Sequence, residues 1–121
     1  MNITELTVHE LRDKLKNKEL TITEINKAYV DRIVEKEPEV KAFVTTLTDT
    51  ALEQAKQIEE KVESGEITSE FAGIPVGIKD NICTKGVKTT CASKMLENFV
   101  SPYDATVMEK INEAGMISLG K

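Results

Sequence analysis

The chain has 121 residues, enough for one ordinary domain and too few for two. Its 21 Asp and Glu against 16 Lys and Arg leave a net charge of −5 with both signs interspersed, which argues against a nucleic-acid footprint spread over the surface. No apolar run approaches the roughly 20 residues of a membrane span, and Met1-Asn2-Ile3-Thr4-Glu5 lacks the basic flank and apolar core of a signal peptide, so a soluble, cytoplasmic chain is expected.

The N-terminal third reads as two helices with marked starts. Thr7-Val8-His9-Glu10 is a capping box, in which the Thr hydroxyl and the Glu carboxylate satisfy orphan backbone donors reciprocally, with Leu6 and Leu11 at the staple positions. Val8, Leu11 and Leu15 then share a face, and His9 on the first turn is expected to point to solvent. Thr21-Ile22-Thr23-Glu24 repeats the box, with Leu20 and Ile25 as its staple and Ile25, Ala28, Tyr29 and Ile33 as the apolar stripe. Pro38 is expected to stop this helix, because the residue before a proline is pushed out of the helical region. The pair is predicted to form a hairpin that covers a sheet or docks a partner chain.

Residues 40–47, centred on Phe43 and Val44, read as a first, interior strand. Thr48-Asp49-Thr50 offers N-caps for a third helix carrying Leu52, Ala55, Ile58 and Val62, which Gly65 closes. Residues 74–78 form a short β-branched run ended by the turn-prone pair Asp80-Asn81, and read as a buried strand. Side-chain alternation puts Ile74, Val76 and Ile78 on one side and Pro75, Gly77 and Lys79 on the other. Gly77 leaves space beside Lys79, and Lys79 stands at the C-terminal end of the strand, where open α/β sheets place their crevices. On spacing alone, a lysine stretching into water is the commoner state.

The Thr- and Ser-rich residues 82–94 read as an ordered loop, of the kind that carries function after a strand end. Asp104 is expected to cap a fourth helix with Val107, Met108, Ile111 and Ala114 facing inward, ended by Gly115, and residues 116–119 to form another buried strand. The order α-α-β-α-β-loop-α-β is the grammar of a mostly parallel α/β sheet. Because the chain stops directly after a strand, it is expected to be the N-terminal piece of something longer.

Two patterns carry no chemistry in this reading. Cys83 and Cys91 have neither a metal-knuckle nor a redox spacing and read as reduced thiols packed as small apolar residues; with His9 the only histidine, no metal site and no Ser-His-Asp triad is expected within the chain. Residues 115–121 spell the P-loop body G-x-x-x-x-G-K, but a helix precedes them and Met116-Ile117-Ser118-Leu119 suits a strand.

Residues 72–86, 89–94 and 101–107, with the stretch 40–44, resemble the start of the amidase-signature enzymes, and within them the A subunits of glutamyl-tRNA(Gln)/aspartyl-tRNA(Asn) amidotransferases. The resemblance covers essentially the whole chain. It implies an α/β/α sandwich with a mixed central sheet, of which residues 1–38 would be a helical hairpin and 39–121 the start of the core. It further implies a Ser–cis-Ser–Lys mechanism with Lys79 as its lysine. The two serines belong to a Gly/Ser-rich stretch further along the family sequence; Ser93, Ser101 and Ser118 do not match them, so these 121 residues alone are expected to be inactive. A lysine acting as base must be neutral, which burial favours by lowering its pKa by up to ~3–5 units.

By resemblance, the full-length protein frees ammonia from glutamine. It passes the ammonia to a B subunit, where glutamate on tRNA is activated with ATP and Mg, and a small C subunit braces the complex. No cofactor is expected on this chain itself. Two other readings remain open: a stand-alone amidase acting on a small amide, and a non-catalytic binding or scaffold module.

Overall fold

The computed structural model describes residues 2–121. A 3-10 turn at Ile3–Glu5 leads into helices α1 (Val8–Lys16), α2 (Ile22–Val40) and α3 (Thr48–Glu63), then strand β1 (Pro75–Gly77), a 3-10 turn at Lys94–Leu96, helix α4 (Thr106–Glu113) and strand β2 (Ile117–Gly120). The two strands pair in parallel, Pro75 with Ile117 and Val76 with Ser118. The register slips between Val76 and Gly77, so that Gly77 lies beside Gly120.

Both capping boxes form. Thr7 accepts from the Glu10 N–H while the Glu10 carboxylate accepts from the Thr7 N–H, and Thr21 and Glu24 do the same for α2. The third helix closes at Gly65 (φ +79°), whose N–H donates to Val62 O at 3.1 Å while Glu66 N–H donates to Lys61 O at 2.9 Å. That pair of bonds is a Schellman motif.

Four local expectations fail. Pro38 lies inside α2 rather than ending it. The helix turns back only at Lys41, a left-handed residue whose N–H reaches Glu37 O at 2.8 Å, while the Glu37 carboxylate accepts from Phe43 N–H at 2.9 Å. Residues 40–47 therefore do not make an interior strand, and Val40 and Val44 are 63% and 57% exposed. What remains is an antiparallel bridge from Thr46 to Gly120, supported by Val44 N–H to Lys121 O at 2.7 Å and Leu47 N–H to Leu119 O at 2.9 Å. Helices α3 and α4 begin without side-chain caps, at Leu47 and Ala105. The Asp104 carboxylate instead accepts from Lys85 N–H at 2.7 Å. Val8 and Val107 face outward, whereas His9 is exposed as expected.

Helix α2 packs chiefly on α3, not on α1 in a hairpin, and α3 in turn lies on β2. Val30, Ala51, Ile117 and Leu119 form one buried cluster, flanked by Tyr29, Ile33, Leu52 and Ile58. Leu11, Ile25 and Ile74 form the second, joined by Leu6, Leu15 and Leu20, so the staple residues of both capping boxes reach the core. Fully burying one such side chain is worth about 1.5–3 kcal/mol. Just ahead of β1, Gly73 holds φ +82° with no room for a side chain, since a Cβ would overlap Ile22. The buried Asn26 amide fixes this corner by donating to Gly73 O at 2.8 Å and to Ile22 O at 2.9 Å.

Candidate active site

The parallel pair sends two lysines from the same end of the sheet, Lys79 after β1 and Lys121 after β2. Ile78 N–H donates to Gly120 O at 3.0 Å, which keeps the two exits side by side. Their surroundings differ completely. Lys79 is exposed, and among the described residues its ammonium has no hydrogen-bond partner. Lys121 is 4% exposed, and its ammonium donates to Thr84 Oγ1 and Thr89 Oγ1, each at 3.0 Å, and to Ile82 O.

The loop between Lys79 and α4 is fastened from several directions. Ile82 N–H closes a turn onto Lys79 O at 3.0 Å. Asp80 is buried; its carboxylate accepts from Thr90 N–H at 3.1 Å and from the Thr90 hydroxyl, and its carbonyl accepts from Cys91 N–H at 2.9 Å. Cys91 and Ala92 follow at φ +51° and +56°, two successive left-handed residues without glycine's freedom. Such backbone persists only where its surroundings over-determine it, and here the Asp80 and Thr90 bonds do so. A bridge between Lys88 and Val100 completes the loop.

Burial is the main influence lowering the Lys121 pKa from its ordinary 10.5, opposed by the nearby acidic groups, Asp80 first. The hydroxyls of Tyr103 and Ser101 hold the Cys83 thiol below its ordinary value, and the same contact pushes Tyr103 up. Both cysteines are free; Cys91 is exposed, not packed as the sequence suggested, because its left-handed backbone turns at the surface.

The glycine signal is also relocated. The Phe43 ring lies over Gly77, where an added Cβ would meet it at 3.5 Å, an ordinary contact. The tight approach is at Gly120, where a Cβ would lie 2.7 Å from Thr45 O and 2.8 Å from Phe43 Cδ1. Sequence reasoning did not single out Lys121 or Asp80. The signal that could have drawn attention to Lys121 was the recurrence of a glycine-to-lysine exit, Gly77-Ile78-Lys79 and Gly120-Lys121, at the ends of two strands. The rejection of the P-loop holds: α4 precedes β2, and the N–H groups of Ile117 and Lys121 already donate to Ile74 O and Thr45 O.

None of Ser93, Ser101 and Ser118 reaches Lys79 by a hydrogen bond. Ser93 Oγ accepts from Met95 N–H, Ser101 Oγ donates to Tyr103 O, and Ser118 Oγ is buried without a partner. Among the described residues no group of three His, Cys, Asp or Glu side chains is placed to hold a metal, and no helix is long and apolar enough to cross a membrane.

A helix-covered parallel pair with a lysine leaving each strand end defines an α/β chain with its polar groups gathered at the C-terminal end of the sheet. The family model described as Amidase matches residues 24–121, and the chain belongs to the amidase-signature family. It is 53% identical over 121 residues to the A subunit of the glutamyl-tRNA(Gln) amidotransferase of Thermoanaerobacter pseudethanolicus and 51% identical to that of Heliobacterium modesticaldum. It spans 25% of the length of each of these relatives. Native peptide amidase from Stenotrophomonas maltophilia superposes with a TM-score of 0.87 at 29% identity, over 97% of this chain and 24% of that one. Fatty acid amide hydrolase superposes with a TM-score of 0.88 over 97% of this chain and 21% of that one, at 20% identity, a likeness of fold alone. The α/β architecture and the family resemblance read from the sequence are thus borne out.

Proposed function

We propose that this chain is part of the amide-hydrolysing A subunit of a tRNA-dependent amidotransferase, with Lys79 as the proton-handling residue. The observation that supports the reading most is the 53% identity, over every residue of this chain, to a protein of that name. Lys79 leaves the sheet two residues past the C-terminal end of β1, the end where open α/β sheets place their crevices, which supports the reading.

In this reading residues 2–121 supply the amine and its scaffold, and two serines from elsewhere in the full-length protein supply the hydroxyls. Their packing over Lys79 would strip water from the amine, favour its neutral form, and let it take a proton through the bridging serine from the nucleophile. The nucleophile attacks the glutamine side-chain carbonyl, and the same relay returns the proton to the departing ammonia. Ammonia then passes to a B subunit, where ATP and Mg activate glutamate on tRNA in the cytoplasm, with a C subunit bracing the assembly. Residues 115–121 do not fit a nucleotide, so ATP belongs to the partner. The acidic surface agrees with leaving most tRNA contacts there too.

The test is glutamine hydrolysis by the full-length protein in complex with its B and C partners. Lys79→Ala is expected to lower kcat by about 1,000-fold or more with the complex still assembling, in keeping with loss of an acid–base group and of nucleophile activation. Turnover close to wild type in that variant would overturn the assignment. Undiminished hydrolysis of small amides without the partners would instead identify a stand-alone amidase.

A further inference from the structure

We propose that Lys121 is a positioning residue for the reaction assigned to Lys79: its buried ammonium holds the loop that begins at Lys79 and so fixes the backbone from which the Lys79 side chain departs. The proposal rests on the reading of Lys79 given above. It extends that reading to a residue that never touches substrate.

The geometry is that of a saturated clamp. An ammonium has three N–H donors. Lys121 spends them on Ile82 O, Thr84 Oγ1 and Thr89 Oγ1, which lie 39, 37 and 32 residues away in the chain. The two hydroxyls pass the restraint on, Thr84 donating to Ile82 O at 3.1 Å and Thr89 to Val87 O at 3.3 Å. Both limbs of the loop are thereby tied to the end of β2.

The link to Lys79 is short. Ile82 accepts from Lys121 through its carbonyl and donates through its N–H to Lys79 O at 3.0 Å. Asp80, the next residue, holds the far side of the loop through Thr90 and Cys91. Lys79 thus leaves a strand whose following peptides are pinned, although its own side chain is free. A lysine needed only for solubility would not be buried with every donor satisfied inside the chain.

The experiment uses the full-length enzyme in its complex, with glutamine as substrate. Lys121→Met, similar in length but without donors, is expected to lower kcat by about 100-fold with KM changed little, the order of loss expected for misplacing a reacting group by an ångström. Thr89→Val, which keeps the shape and removes one acceptor, is expected to lower kcat by about 10-fold by the same argument, and Thr89→Ser, which restores the hydroxyl, to recover most of it. If Lys121→Met does not fold, the Val and Ser pair at position 89 decides the matter. Equal kcat for Thr89→Val and Thr89→Ser, or wild-type kcat in a folded Lys121→Met enzyme, overturns the proposal. Lys79→Ala run alongside separates the two failures: loss of activity there with normal turnover in the Lys121 and Thr89 variants removes this inference alone, while activity in Lys79→Ala removes the reading beneath it.

Discussion

The ends of β1 and β2 are built from the same materials and serve opposite physical ends. Each strand leads to a glycine and then to a lysine, and the two glycines are neighbours in the sheet. At β2 the glycine is forced by backbone and ring packed against it, and the lysine is taken out of water with all its donors engaged. At β1 a side chain in the glycine's place would make only ordinary contact, and the lysine stands open. One exit is finished within these residues, and the other is left available for something to approach.

The contrast is broken most forcefully by removing each charge in turn. Lys121→Met is expected to destabilise the full-length protein by about 3 kcal/mol, because it strands buried oxygens at a cost of roughly 1–3 kcal/mol each before relaxation. Lys79→Met, which breaks no hydrogen bond made by the described residues, is expected to cost about 1 kcal/mol or less. Urea unfolding of both variants checks this, and equal losses would abolish the distinction between the exits. The glycines give the next largest difference. Gly120→Ala should cost about 2 kcal/mol, typical of overpacking against backbone that cannot retreat. Gly77→Ala should be neutral or stabilising by up to about 0.5–1 kcal/mol, the usual relief of replacing glycine inside a strand. Thermal melts of the two alanine variants would show whether the close contact lies where the structure puts it.

The smallest effect is a pH dependence. Burial keeps the Lys121 pKa below 10.5 in the folded chain, so on raising the pH the native state releases this proton before the unfolded state does. Between the two pKa values the unfolded state binds more protons, and stability rises with pH. The difference in unfolding free energy between wild type and Lys121→Met is therefore expected to grow as the pH climbs toward 10.5. A difference that shrinks would mean that the three oxygens around the ammonium, with Asp80, Cys83 and Cys91 nearby, outweigh its burial.

What the sequence disclosed follows the range of the interaction involved. The two capping boxes and the Gly65 stop are written in residues three to six apart, and they formed as read. The strands announced themselves through short, mostly apolar runs. Pro38 misled because its helix is held past the proline by Glu37 and Lys41, and because Phe43 is drawn back over the glycines. The stretch 40–47 has strand composition but meets β2 only at a bridge. Lys79 was singled out through local pattern and family resemblance together. Lys121 was not, since a lysine's burial is decided by acceptors more than thirty residues away, and its Gly-Lys setting drew attention to a phosphate loop instead.

The late ending of α2 makes that helix a ruler. Its last turn and the left-handed Lys41 determine where Phe43 lands, and Phe43 lies against both strand-end glycines. Inserting one residue into that turn would swing everything after it by about 100°. The ring would be carried off the sheet without any change in the sheet's own sequence. Helix length in this chain is thus a variable of the end of the sheet where the two lysines leave, and loop grafts or deletions near residue 40 will be felt at Gly77 and Gly120 before they are felt in the helix.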